Sequence, residues 1–388
     1  MNILTINAGS SSVKYKLIHM PEGCVLSKGV CERVGNDDAF LCFKNAAGHD
    51  IRRKEKMADY QAALRTILDT ITGYEIHAIG HRVVHGGPVH NGPKHVDIKL
   101  IEEIEALGVL APQHNPPSAA CIRACAAVFG EDMPQVAVFD TAFHRTMPPR
   151  ARIYSIPYEY YENNKIQRYG FHGLSHSYIS RRCTELLGRQ ECRIISCHIG
   201  NGCSITAIEN GHSVDTTLGY TSLDGVMMGT RCGAIDPAIV LSLQELSEMS
   251  DVSEILYHKS GLLGVSGVSN DWRDVSAAAE KGNMRAALAV EMQRYQIVKY
   301  IGAYLAAMGG ADAIVFTGGI GANDSGLWKY VCNHLCYTGV EIDNTATILN
   351  GQEQCLTART SKIAVYVIPT DEEKVIAEET YAVLQNRL

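Results

Sequence analysis

The sequence predicts an α/β fold built from two related domains, and three observations predict it. Its 388 residues exceed what one ordinary hydrophobic core accommodates. A strand–turn–strand pattern occurs twice, at MNILTINAGSSSVKYKL (residues 1–17) and at IISCHIGNGCSITAIE (residues 194–209). Each copy is followed by segments that read as helices and buried strands. Both hairpin turns are rich in Gly, Ser and Asn, whose backbone N–H groups and hydroxyls can approach an anion closely. Two such turns point to two domains gripping one polyphosphate, and hence to phosphoryl transfer.

In the first half, strand patterns fall at 2–7, 13–18, 29–34 and 40–44, followed by a helix at about 60–71. A buried strand over 77–84 ends in His85-Gly86-Gly87-Pro88, and helical periodicity returns at 99–107 and 117–129. The apolar run 135–139 is closed by Asp140-Thr-Ala-Phe-His144. Paired prolines break helix and strand alike, so Met147-Pro-Pro-Arg150 is the expected interdomain boundary. The second half reads as paired strands over 194–208 with a turn at Asn210-Gly211, then helices at about 238–246 and 284–308. The run 313–317 feeds a glycine turn, Gly318-Gly-Ile-Gly321, and a strand over 363–368 precedes the last helix. The expected architecture is two α/β lobes with a cleft between them.

Composition narrows the class. An apolar fraction of 46% and a charged fraction of 20% are those of a soluble globular chain. The net charge of −7 argues against a broad nucleic-acid surface. No apolar run reaches the ~18 residues that span a bilayer, and no signal peptide is legible, so neither a membrane nor a nucleic acid is an expected partner. Thirteen scattered cysteines fit a reducing cytoplasm better than a disulfide framework. Cys332-Asn-His334-Leu-Cys336 has no second ligand pair and lies in a helix-like stretch, which argues against a structural metal.

The candidate chemistry is concentrated in a few places. Alternation on an extended strand lets Ser10, Ser12 and Lys14 share one face beside Asn7, a phosphate-facing surface; an ordinary hairpin turn is the alternative. The second copy, Gly200-Asn201-Gly202 with Ser204, repeats the device. There is no G-x-x-x-x-G-K-[ST] sequence, and Gly318-Gly-Ile-Gly-Ala-Asn323 does not match G-x-G-x-x-G. Arg82 in His81-Arg-Val-Val-His85 and Arg231 in Gly229-Thr-Arg-Cys-Gly233 sit among apolar residues and glycines, where a cation meets an anion or forms a structural ion pair. His114 and His172 lie at loop-like ends, a common place for structural histidines. Asp140 ends an apolar strand, where α/β folds carry working carboxylates. In Asp371-Glu372-Glu373, at least one acid can serve only the N-terminus of the last helix.

Taken together, NAGSSSVKYKL, GHRVVHGG, HNPPS, FDTAFH, RYGFHGLSH, HIGNG, GTRCGAIDP, FTGGIG and IPTDEE resemble the acetate kinase family of carboxylate kinases, in order and along essentially the whole chain. The resemblance implies a duplicated ribonuclease H-like fold, of the actin, Hsp70 and sugar kinase type, with a nucleotide cleft. It implies domains of 1–147 plus the C-terminal helix 373–388, and of 148–372. It implies ATP-dependent phosphorylation of acetate in a cytoplasmic homodimer, with ATP/ADP as co-substrate and Mg²⁺, or Mn²⁺, as the ion. Asn7 and Glu372 match the metal-holding positions, and Ser10, Ser12 and Lys14 the first phosphate contacts. His198, Ile199, Gly200, Asn201 and Gly202 match the second phosphate loop. Asp271, Trp272 and Arg273, with Gly319, Ile320, Gly321, Ala322 and Asn323, match the nucleotide-binding elements. Arg82 and Arg231 match the arginines of the substrate carboxylate and phosphoryl group, His172 the transition-state histidine and Asp140 the essential carboxylate. Val84, Gln113, His114, Phe171 and Ser222 match the acid-binding positions.

A carboxylate is ionised at neutral pH, so it needs no general base to become a nucleophile. The expected role of Asp140 is therefore to orient Mg²⁺ or an arginine, and the expected transfer is in-line without a phosphoenzyme. Departures fall at Gln113, where the family carries leucine, and at Ser222, where it carries proline. Ala322 stands where the family has a glutamate, and Ala234 where it has an acid. Propionate or another short-chain acid is the alternative substrate, and a silent nucleotide-binding protein is the rival from another class.

Overall fold

The computed structural model describes residues 1–9, 11–44, 48–246, 249–343, 345, 349 and 351–386. The chain divides into two compact units, Met1–Phe143 with Asp371–Leu388, and His144–Thr370. The division falls just before Pro148 and Pro149. These prolines open a short helix at Pro149–Arg152, because proline suits the first helical turn, where its missing N–H has no partner to lose.

The first unit is built on strands β1 (Asn2–Ala8), β2 (Ser12–His19), β3 (Cys24–Glu32), β4 (Phe40–Lys44), β5 (Asp50–Lys54), β6 (Ala78–Val83), β7 (Lys94–His95) and β8 (Gln135–Phe139). The sheet order is β5-β4-β3-β2-β1-β6-β8-β7. The hairpin β1–β2 is antiparallel, with Asn7 opposite Lys14, while β6 and β8 run parallel to β1. Helices α1 (Tyr60–Leu68), α2 (Ile98–Ala106) and α3 (Asn115–Phe129) follow. Asp59 and Asp97 cap the first two through backbone N–H groups of Ala62 and Leu100. Alternation sends Leu4, Ile6, Val13, Tyr15 and Leu17 to one face, where they pack with Ala63, Leu64 and Ile67 of α1 and Cys121 and Cys125 of α3. Strand β5 was not legible, because Asp-Ile-Arg-Arg-Lys is an edge strand with little apolar content.

The second unit repeats the plan. Its strands are β9 (Arg193–Ile199), β10 (Cys203–Glu209), β11 (His212–Thr216), β12 (Ala313–Thr317), β13 (Gln354–Cys355) and β14 (Ala364–Val367), in the order β11-β10-β9-β12-β14-β13. The antiparallel hairpin β9–β10, followed by β12 and β14 parallel to β9, matches β1–β2 followed by β6 and β8. Asn210 and Gly211, both at positive φ, turn β10 into β11 as expected. Helices α4 (Pro149–Arg152), α5 (Tyr158–Asn164), α6 (Gly173–Leu187), α7 (Pro237–Leu246), α8 (Met249–His258), α9 (Gly261–Ser266), α10 (Trp272–Glu280), α11 (Met284–Met308), α12 (Gly318–Gly321) and α13 (Ser325–His334) complete it. The long α11 buries Ala289, Gln293, Ile297, Ile301, Tyr304 and Met308, one face of a 3.6-residue period.

The last helix, α14 (Glu372–Leu384), belongs to the first unit. Its Ala377 packs with Ile3, Ile18 and Ala78 on the sheet face opposite α1 and α3. Gly80 permits this approach, since a Cβ there would meet Thr380 and stand 2.7 Å from Ile376. All thirteen cysteines are unpaired. Cys332 is buried in α13, and burial pushes its thiol up to about 12. Among the described residues no cluster of three or more His, Cys, Asp or Glu could hold a metal, and no helix is long and apolar enough to cross a membrane.

Candidate active site

In the first unit, the candidate residues gather at the carboxyl ends of adjacent parallel strands, where open α/β sheets bind ligands. Asn7 closes β1, Arg82 lies near the end of β6 and Asp140 follows β8. Arg82 donates to Asp140 from Nε at 3.1 Å and from Nη2 at 2.6 Å, and from Nη1 to Asn7 Oδ1 at 3.3 Å. Glu372 stands 3.8 Å from Arg82 Nε. Burial works against the Arg82 guanidinium, but Asp140 and Glu372 outweigh it and raise its pKa. Burial pushes the Asp140 carboxyl up, with Arg82 and then His114 acting in the other direction.

The three acids at the start of α14 have separate tasks. Asp371 is the N-cap, accepting from Lys374 N at 3.0 Å. Lys16 binds Asp371 at 2.7 Å and Glu373 at 3.2 Å. Glu372 is therefore the acid that faces Arg82. Lys16 was missed in the sequence, although strand alternation puts it on the face of Ser12 and Lys14. Lys14 is exposed, Ser12 is half-buried, and Ser10 lies outside the described residues.

Loop anchors around this group were also missed. Asn115, inside HNPPS, is buried and holds both backbone groups of His85, accepting from N at 3.0 Å and donating to O at 2.9 Å. Thr141 Oγ1 accepts from Gly86 N at 3.0 Å. Tyr60 donates to Gly9 O at 2.8 Å and so ties the first turn to α1. Val84 is buried, His114 sits at the N-cap of α3, and Gln113 is exposed.

In the second unit, His172 precedes α6 with φ of +55°, a left-handed conformation uncommon for a residue with a side chain. Its Nδ1 lies 2.8 Å from Ser204 Oγ, and its ring stacks on His198 at 4.2 Å. A Cβ on Gly202 would stand 3.2 Å from His172 Nε2 and 3.8 Å from Arg231 Nη2, so both side chains converge on this turn. Arg231 donates from Nη1 to Ser222 O at 2.8 Å and contacts Met228 Sδ at 3.4 Å. No carboxylate pairs with it among the described residues, and burial lowers its pKa. Ser222 thus contributes its carbonyl, which proline also possesses. Phe171 is buried.

A cavity of about 910 Å³ in this unit brings together Gly200, Asn201, Asp271, Trp272, Arg273, Gly319, Ile320 and Asn323. Asp271 caps α10 and pairs with Arg273, which draws its pKa down to about 2. Gly318, at φ of +81°, leads into a one-turn helix where the sequence predicted an open turn. A Cβ on Gly318 would stand 2.7 Å from Ile199 O. Ile199, Gly321 and Ala322 are buried behind the cavity rather than lining it. Arg294, missed in the sequence, pairs with Asp324 at 3.1 Å and lies 5.6 Å over the Trp272 ring, fixing one wall.

A buried arginine held by carboxylates at strand ends in one unit, and a glycine-lined cavity beside an arginine and a histidine in the other, are the equipment of a phosphotransferase. The chain matches the Acetokinase family over residues 2–378 and belongs to it. It is 47% identical to the acetate kinase of Desulforamulus reducens, covering 98% of this chain and 99% of that one. It is 44% identical to the acetate kinase of Halothermothrix orenii over the full length of both. Among solved structures, it resembles the Porphyromonas gingivalis acetate kinase with a TM-score of 0.91 at 42% identity, covering 99% of each chain. It resembles a Francisella tularensis propionate kinase with a TM-score of 0.92 at 39% identity, covering 100% of each. The fold is the duplicated α/β fold of these carboxylate kinases.

Proposed function

We propose that this chain is an acetate kinase, catalysing the reversible transfer of the ATP γ-phosphoryl group to acetate. An acetate oxygen attacks the γ-phosphorus, the bond to the ADP oxygen breaks, and acetyl phosphate and ADP form in one in-line step. The observation that carries this reading is the match along residues 2–378 to a family whose relatives phosphorylate acetate.

The acceptor is already an anion, so the obstacle is bringing it up to a phosphoryl group. Arg82 and Arg231 supply positive charge to the carboxylate and the transferring group, and His172 supplies a hydrogen-bond donor. Asp140 holds Arg82 in place and takes no proton. Ser10, Ser12 and Lys14, with the turn His198 to Gly202, meet phosphates. The cavity beside Asp271 to Arg273 and Gly319 to Asn323 takes the nucleotide. We assign Val84, Gln113, His114, Phe171 and Ser222 to the acid.

Mg²⁺, or Mn²⁺, fits the first unit. Asn7 Oδ1 and the Glu372 carboxylate are hard oxygen donors close to the Arg82 guanidinium, at 3.3 Å and 3.8 Å. Two such donors suffice for an ion that keeps waters and phosphate oxygens in its shell. When bound, it offsets phosphate charge. The domains proposed are 1–147 with 373–388, and 148–372, and the enzyme is proposed to be a cytoplasmic homodimer.

A hydroxamate assay with ATP and Mg²⁺ over acids from formate to butyrate tests the reading. Highest kcat/KM for acetate is expected. One methylene is worth about 0.8 kcal/mol of burial, roughly fourfold. A preference for propionate would make the enzyme a propionate kinase, as the Francisella relative is named. No turnover with any acid would overturn the proposal.

A further inference from the structure

A chain of hydrogen bonds runs inward from His172 through three fully buried side chains. Ser204 Oγ lies 2.8 Å from His172 Nδ1 and 2.8 Å from His176 Nε2. His176 Nδ1 lies 2.8 Å from Ser196 Oγ. Ser196, Ser204 and His176 come from β9, β10 and α6, and all are completely buried. His176 stands one helical turn beyond His172, which puts both rings on one face of α6.

Proton counting couples these groups. A serine hydroxyl has one proton, so Ser204 donates to one imidazole and accepts from the other. Burial pushes the His176 pKa well below its ordinary value, and His144 and His198 add to this, so the ring is neutral with one N–H. Two arrangements satisfy these three bonds. In one, His172 Nδ1–H donates to Ser204, Ser204 to His176 Nε2, and His176 Nδ1–H to Ser196. In the other, Ser196 donates to His176 Nδ1, His176 Nε2–H to Ser204, and Ser204 to His172 Nδ1. Only the second puts the proton of a neutral His172 on Nε2. That nitrogen is the one turned toward Gly202 and Arg231. His198 stacks on the same ring, and Arg231 lies across Gly202 from it.

We propose that Ser204 and His176 are positioning residues that hold His172 as its Nε2–H tautomer, aimed as a donor at the transferring phosphoryl group. This rests on the kinase reading above. No proton leaves His172; the relay fixes which nitrogen carries it.

The test combines kinetics with ¹⁵N NMR of histidine-labelled protein. Ser204→Ala is expected to lower kcat about 10–100-fold, the usual cost of removing a group that orients a working imidazole. KM for ATP and acetate should stay within about twofold. In a His172→Ala background, adding Ser204→Ala should change kcat no further, because the relay acts only through that ring. A wild-type kcat in Ser204→Ala, or the same fold-loss in both backgrounds, would overturn the proposal. The NMR spectrum of the unmodified enzyme decides independently of any variant's folding: His172 protonated at Nε2 is expected, and protonation at Nδ1 alone overturns the relay. Wild-type protein that turns over no acid would overturn the proposed function instead, and the tautomer would still be read.

Discussion

Asp140 grips the Arg82 guanidinium through two of its nitrogens, and among the described residues it is the one fully buried carboxylate at the strand ends of the first unit. The bidentate pair fixes the plane of the guanidinium and leaves Nη1 on Asn7. Arg231 in the second unit is built oppositely, with a carbonyl and a thioether as partners and burial that lowers its pKa. One arginine is locked by a counter-charge; the other has no carboxylate partner among the described residues.

That contrast separates the two arginines in stability measurements. Arg82→Met strands Asp140 as a buried acid and should cost about 3–5 kcal/mol. Arg231→Met removes a buried, uncompensated charge and should leave stability unchanged or raise it by about 1 kcal/mol. Both should lower kcat by about 10³-fold or more, as loss of a phosphoryl-clamping arginine does. Urea unfolding of the two variants is the check, and equal destabilisation would contradict the pairing.

Asp140→Asn keeps shape and removes the charge. If Asp140 orients Arg82, kcat should fall about 10²–10³-fold, while the shape of the pH–rate profile persists. Loss of a kcat limb together with a solvent isotope effect on kcat would mark Asp140 as a base instead.

Acid should weaken the fold through buried neutral histidines. Burial lowers His81 and His144 to about 4 each, below the ordinary 6.5. Between those values the unfolded chain binds protons that the folded chain refuses, so stability falls as pH drops from about 6.5 toward 4. Each contributes on the order of 3 kcal/mol over that window. His144→Gln, which removes the titrating ring that bonds Ser213 and the Phe171 carbonyl, should flatten the slope of unfolding free energy between pH 7 and 5.

Gly202→Ala places a methyl group 3.2 Å from His172 Nε2 on a backbone that accepts it. Its kcat should drop at least about tenfold with melting temperature within about 2 °C of wild type. A large loss of stability with normal turnover would show the turn to be structural only.

Gly80→Val should fail for a different reason, since its branches would enter α14 at Ile376 and Thr380. A cost of about 1–3 kcal/mol is expected from overpacking, read by thermal unfolding.

The repeated strand–turn–strand pattern made both hairpins legible, and unbroken apolar runs did the same for β8 and β12, which are buried at every position. Helix α11 was read to its exact ends because Asn283 caps one terminus and left-handed Gly309 the other. Other elements left weaker traces. Helix α6 begins after His172, an N-cap in a left-handed conformation with no side-chain cap, so it lacks the usual start signals. Gly318–Gly321 carries the composition of a loop, yet tight packing on Ile199 winds it into a helical turn. Among site residues, Arg82, Arg231 and Asp140 stood out as charges in apolar runs. Lys16 was discoverable by alternation. Asn115 acts through bonds to a residue distant in the chain, which no local pattern encodes; Ser204 was legible as part of the repeated turn, but its bond to His172 was not.

The return of α14 to the first unit sets an order of events during synthesis. Until that helix emerges, Ile3, Ile18 and Ala78 have no cover on one side of the sheet, and Arg82 lacks its neighbour Glu372. The second unit holds no element from outside residues 144–370 and can complete its core first, although its coding sequence comes later than most of the first. A nascent chain that has not yet made α14 therefore lacks the proposed Glu372 metal position.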